Sequence, residues 1–172
     1  MKNIIVNLLM LSALVLFSCE SKQAKKERET YEKYINHSLQ TGAAPYARYY
    51  GENSSCNGSG CSQISVSTGN SDVLVTIKDK YKKVVRHAFI QAGNSYAFSF
   101  PNGTYQPFFY YGKGWNPEKE MKNGEITGGF IEDEHFGKDA PQMLSDDVLE
   151  YRLVLRRNGN FSTRKSDPEE AL

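Results

Sequence analysis

This chain is short of almost every residue pattern that would name an activity. It has no Gly-x-Ser-x-Gly elbow, no phosphate-binding glycine loop and no His-Glu-x-x-His pair, so the common hydrolase, nucleotide and zinc-protease signatures are absent. Three scattered histidines, His37, His87 and His135, make no ligand set between them. Charge of one sign is also lacking: 21 basic against 20 acidic residues leave a formal net charge of +1, which implies neither nucleic acid nor a generally acidic partner. There is no internal repeat. The one long apolar run, Ile4 to Phe17 with only Asn7 and Ser12 interrupting, is shorter than the roughly 20 residues a helix needs to span a bilayer.

That run has a different use. Lys2 precedes it and a small residue follows it, which is the layout of a secretory signal, whereas a buried helix would carry polar positions every third or fourth residue. Leu16, Phe17, Ser18 and Cys19 resemble the bacterial lipobox, with Phe17 bulkier than the usual small residue at its position. The resemblance implies a signal peptide over residues 1–18 and lipidation of Cys19, which becomes the first residue of the mature protein. In lipoproteins of this kind aspartate after the cysteine favours retention at the inner membrane. Glu20 stands here, so the resemblance implies the outer membrane, facing either the periplasm or the exterior. Without Lys2 the basic and acidic residues are equal in number.

Residues 19–45 read as a charged tether, partly helical where Tyr31, Tyr34 and Ile35 share a helical face. Lys25, Lys26 and Arg28 invite acidic head groups, but Glu27, Glu29 and Glu32 cancel them nearby, which favours a solvated tether. A β domain is expected over residues 46–161 and a disordered tail over 162–172. Once Cys19 is assigned to lipid, Cys56 and Cys61 remain, bracketing a Gly/Ser loop. In an oxidising compartment they are expected as a disulfide, contributing about 2 kcal/mol or less because the loop is short. Zinc would need two further ligands that the surrounding sequence does not offer, and no metal or other cofactor is expected.

From Ile64 onward strand signals dominate. Ile64–Ser67, Asp72–Lys78, Val84–Ala92, Ser95–Phe100 and Thr104–Tyr111 are short, β-branched or aromatic, and separated by turn residues such as Pro101-Asn102-Gly103. Leu149–Arg157 alternates as a closing strand with one wet face, while Gly112–Gly129 reads as the longest irregular segment. The pattern predicts an all-β, antiparallel β-sandwich. The run Ala92 to Phe98, followed by Pro101 to Tyr105, resembles the strand-turn-strand core of prealbumin-like sandwiches such as carboxypeptidase regulatory-like domains. Together with Gly112 to Pro117 it is also similar to a family of Bacteroidota lipoproteins, which implies no particular activity.

Two stretches are candidate sites. Tyr105, Phe108, Phe109, Tyr110, Tyr111 and Trp115 put aromatic rings on both faces of one strand. With one face in the core, Phe108, Tyr110 and Trp115 are candidates for stacking on a sugar or peptide, with Lys113 and Asn116 supplying hydrogen bonds. The alternative is that both faces are covered, the second by the loop carrying Trp115. Glu132-Asp133-Glu134-His135 is the densest polar set, yet strand neighbours point to opposite faces and no calcium-loop pattern accompanies it, so a solvated loop is the simpler reading. No catalytic residue is assigned. The sequence therefore points to a non-enzymatic, lipid-anchored binding or structural accessory module of the outer membrane, whose partners are the membrane, an envelope protein or a glycan. The alternative is a periplasmic or surface enzyme acting on glycan or peptide through the Glu132–His135 segment.

Overall fold

The computed structural model describes residues 21–154 and 164–172. The signal segment 1–18, Cys19, the end of the expected closing strand and the Asn158–Phe161 turn lie outside the described residues. Two compact units are present, one ending at Lys33 and one running from Tyr34 to Leu172. Helix α1 (Lys22–Tyr34), all but its last residue in the first unit, carries Lys25–Glu29 and Arg28–Glu32 pairs at 3.8 and 3.9 Å one turn apart. Exposed pairs of this kind contribute only a few tenths of a kcal/mol each. No helix among the described residues is long and apolar enough to cross a membrane.

The second unit is mostly β and packs two sheets together. Its strands are β1 (Cys61–Thr68), β2 (Asp72–Asp79), β3 (Val84–Ile90), β4 (Ser95–Pro101), β5 (Gly103–Met121), β6 (Ile126–Lys138), β7 (Gln142–Leu144), β8 (Val148–Leu153) and β9 (Arg164–Lys165). The small sheet runs β4-β1-β8, and the large one β3-β2-β5-β6-β9 with β7 beside the start of β5. Each turn from β1 to β2, β3 to β4 and β4 to β5 carries the chain from one sheet to the other. The sandwich expectation holds, with one departure from the antiparallel rule: β1 and β8 pair in parallel, Ile64 opposite Leu149 and Thr68 opposite Leu153.

Alternation builds the inter-sheet core. Ile64 and Val66 of β1, Phe98 and Phe100 of β4, Val73, Val75 and Ile77 of β2 and Phe109 and Tyr111 of β5 all turn inward. On β8, Leu149, Tyr151 and Leu153 turn inward between exposed neighbours, as expected. The large sheet is apolar on its other face too. There Leu74, Phe89, Phe108, Tyr110, Trp115 and Phe130 form a second core with Tyr46 and Leu172. Strand β2 is therefore buried on both sides from Val73 to Ile77, the near-continuous apolar pattern of a central strand.

Two covering pieces close this second face. Residues from Tyr34 to Gly51 fold across it and end in the short helix α2 (Ala47–Tyr50). They also blunt the edge of β3: Gly42 N–H donates to Phe89 O and Phe89 N–H to Ala43 O, both at 2.8 Å, while the Asn53 amide brackets His87 N–H and C=O. An uncovered edge would offer these groups to another chain. The tether thus ends near Tyr34 rather than at residue 45, because Leu39, Ala43 and Tyr46 bury apolar surface that a solvated tether would expose. The second piece corrects the expected disordered tail. Asp167 caps helix α3 (Pro168–Ala171), accepting from Glu170 N–H at 2.8 Å, and Ala171 and Leu172 are each 1 % exposed against the large sheet.

The expected irregular segment Gly112–Gly129 is instead the hairpin of β5 and β6, closed by a 3-10 turn at Lys122–Gly124. Register shifts between Tyr111 and Lys113 and between Asn116 and Glu120 absorb the residues that looked like breakers. Gly114 is needed: at φ +72 a Cβ would lie 2.7 Å from Tyr34 O and 2.8 Å from Ile35 Cα. Cys56 and Cys61 form the expected disulfide, with Cα atoms 5.7 Å apart.

Candidate functional site

The first register shift on β5 moves Trp115 onto the same face as Phe108 and Tyr110, so three of the expected ligand-facing residues do come together. They do so under cover. Phe108, Tyr110 and Trp115 are 2, 1 and 1 % exposed, so of the two alternatives it is the covered one that holds, and the open stacking face is ruled out. The covering matter is the Tyr34–Gly51 segment and helix α3, not a loop carrying Trp115. Trp115 meets Phe89 and Phe130 edge to face at 5.6 and 5.3 Å, and Tyr46 at 6.1 Å. Its N–H donates to His37 O at 2.7 Å, and its carbonyl is 2.6 Å from His37 Nδ1, fastening the covering segment to β5. Asn116 is buried and its Oδ1 accepts from Glu118 N–H at 2.9 Å, a local turn bond rather than a ligand contact. Lys113 is exposed and pairs with Glu132 at 3.7 Å.

From buried Tyr110 out to exposed Glu134 runs a polar ring that the amino-acid pattern did not reveal. Tyr110 O–H donates to Glu134, and Lys119 Nζ donates to the other carboxylate oxygen of Glu134. The ring closes through Phe130, whose N–H donates to Tyr110 Oη at 2.8 Å and whose carbonyl accepts from Lys119 at 2.6 Å. Burial, then the bond to Glu134, pushes the Tyr110 phenol far above its usual range. Tyr110 is held as a proton donor and is no base at neutral pH.

Nearby, His87 Nε2 accepts from Tyr46 N–H at 3.1 Å, which makes the ring neutral with its proton on Nδ1. Burial holds its pKa below the ordinary value, with the Ala44 backbone pulling the other way. Tyr46 O–H donates to Gly128 O at 2.7 Å, and burial raises that phenol well above the usual range. Tyr50, whose O–H donates to Leu172 O, is pushed up to about 12, mainly by burial. Tyr46, Tyr49 and Tyr50 stand three and four apart, a helical spacing that could have marked a packing face in the sequence.

The Glu132–His135 segment does not converge. A bulge places Asp133 at φ +54 between the Lys113–Glu132 and Tyr111–His135 pairs, which sends Glu132 to Lys113 and Glu134 to Tyr110 and Lys119. Among the described residues no three His, Cys, Asp or Glu side chains gather as a metal set.

Two surface cavities among the described residues border these elements. One, about 380 Å³, lies where Asn70, Ser71 and Asp72 face Lys113 and Asp133. Asp72 is spent there on Ala92 N–H at 2.8 Å and Ser38 O–H at 2.7 Å. The other, about 360 Å³, runs between the covering segment and the β5–β6 hairpin, with Leu39, Ala43 and Pro45 on one wall and Trp115, Pro117 and Gly128 on the other. Comparisons with known proteins name nothing further. No protein family, curated protein or solved structure matches this chain.

Proposed function

We propose that this chain is a non-enzymatic accessory module of the bacterial outer membrane, anchored by lipid on Cys19 and carrying its β-sandwich to an envelope partner, protein or glycan. The finer likeness to prealbumin-like sandwiches belongs to the same reading. One observation carries it: the residues with the most chemistry on offer are committed to structure. The aromatic block is interior. Glu132 and Glu134 answer separate lysines, and Tyr110 is fixed as a donor. A glycosidase would need two carboxyl groups facing one bond, and a hydrolase a base beside a nucleophile. The apolar core on both faces of the large sheet supports a rigid module rather than an opening one.

The test is recovery of the lipidated protein from membranes after mild crosslinking, with Cys19→Ala as control. A specific envelope protein or glycan enriched with the wild type and lost with Cys19→Ala is the expected result. Recovery of the bait alone, together with turnover of a cell-wall glycan or peptide that Glu134→Gln abolishes, would overturn the reading. A Cys19→Ala chain that still partitions into detergent at mature size would remove the anchor from it.

A further inference from the structure

We infer that the groove between the covering segment and the β5–β6 hairpin is a binding site for a small monocarboxylate with an aliphatic or aromatic body. The inference goes beyond the accessory reading and does not depend on the anchor.

The groove is built rather than incidental. Trp115 lines it, and its indole is held at steep angles by Phe89 and Phe130 and cannot swing away without breaking the second core. Pro45 and Pro117 both line it, one from the covering segment and one from the hairpin, and each stiffens its own piece of backbone before any ligand arrives. Gly128, at φ +112, lets the hairpin backbone come close: a Cβ there would sit 2.8 Å from the Trp115 ring. Tyr49 and Thr127 brace the rim through their hydroxyls, 3.1 Å apart, and Thr127 N–H donates to the same phenol.

Size and charge then select the ligand. A cavity of about 360 Å³ is at the small end of the range for small-molecule sites, roughly 300–1,000 Å³. A protein partner would need about 800 Å² of surface per side, of which this groove would be only a small part. Among the described residues Arg48 is the only charged side chain lining it, is exposed, and makes no salt bridge. A guanidinium offers two parallel N–H donors that match one carboxylate. A phosphate ester would bring more negative charge than one arginine answers. The apolar walls fit an apolar body.

Trp115 is the only tryptophan in the chain, so its emission reports the groove directly. The full chain carrying Cys19→Ser, in which no acyl group competes, is titrated with phenylacetate and 4-methylpentanoate and with the corresponding neutral amides. Expected is a saturable change in Trp115 emission and in the amide resonances of Thr127 and Gly128, with the acids binding about tenfold tighter than the amides. Arg48→Ala, an exposed substitution that leaves the core alone, should erase that acid-over-amide preference. Ala43→Leu, which fills the groove, should weaken both. No saturable change in either signal would overturn the proposal, as would an acid preference that survives Arg48→Ala. Either failure leaves the crosslinking test of the accessory role untouched.

Discussion

Replacing Trp115 with alanine separates a ring in the core from a ring on display. Trp115 is 1 % exposed and touches three other aromatic rings, at 5.3, 5.6 and 6.1 Å, from β6, β3 and the covering segment. Deleting a buried tryptophan costs about 3–5 kcal/mol, since the lost transfer energy is joined by a cavity that neighbours fill only in part. Phe89, Phe130 and Tyr46 belong to three separate pieces of chain, so collapse around the hole is hindered and the upper half of that range applies. Against a typical total of about 5–15 kcal/mol the loss is a large share of stability, equivalent to a fall in Tm of roughly 10–20 °C for a domain of this size. Far-UV circular dichroism in urea measures it without needing the tryptophan. Tyr81→Ala, at a residue 77 % exposed, is the control and should stay within about 0.5 kcal/mol. A Trp115→Ala loss below about 1 kcal/mol would refute the second core and return the ring to the surface.

Three further outcomes follow from the same geometry. His87 is buried and neutral, with its pKa held below the ordinary 6.5; the unfolded chain takes up the proton first, so stability present above pH 6.5 is lost as pH falls from there through the lowered folded value. His87→Gln, compared with wild type by urea midpoint across that interval, should flatten this part of the pH dependence, and an unchanged slope would place the histidine in water. Gly114→Ala should cost at least about 2 kcal/mol more than Gly124→Ala: both glycines have positive φ, but only at Gly114 does a Cβ strike Tyr34 and Ile35. Tyr110→Phe and Glu134→Gln, measured singly and together by chemical denaturation, should couple by roughly 0.5–3 kcal/mol, and strict additivity would dissolve the ring through Lys119 and Phe130.

Strands whose side chains alternate cleanly or run continuously apolar were legible, and those interrupted by bulges were not. Asp72–Lys78 and Ser95–Phe100 appear within a residue of where β-branched and aromatic spacing put them. Strand β5 was cut short at Tyr111 because Gly112, Gly114 and Pro117 look like breakers; each sits in or beside a register shift, where a residue is left out of the ladder and a glycine or proline costs little. The C-terminal segment was misread for a different reason. Its charges suggested fraying, yet Asp167-Pro168-Glu169-Glu170 is an N-cap, a proline suited to the first helical turn and two acids that favour that end, with Ala171 and Leu172 left to dock. The capping signal is present in the chain, and the high charge around it points the other way.

The candidate site was less legible than the fold because strand parity says how many faces are apolar and nothing about what lies over them. Phe108 and Tyr110 on one side, with Phe109 and Tyr111 on the other, required two covers for one strand. The small sheet supplies the first. The second is assembled from Leu39, Ala43 and Tyr46 at one end of the domain and Ala171 and Leu172 at the other, pieces that local periodicity cannot join because their partners lie far beyond one strand or helix turn in sequence. Burying that face removes the aromatic platform that composition invited, but a cover laid across a hairpin leaves a seam. The groove beside Arg48 is that seam: the tryptophan that seemed the best ligand contact still lines it, from within the core.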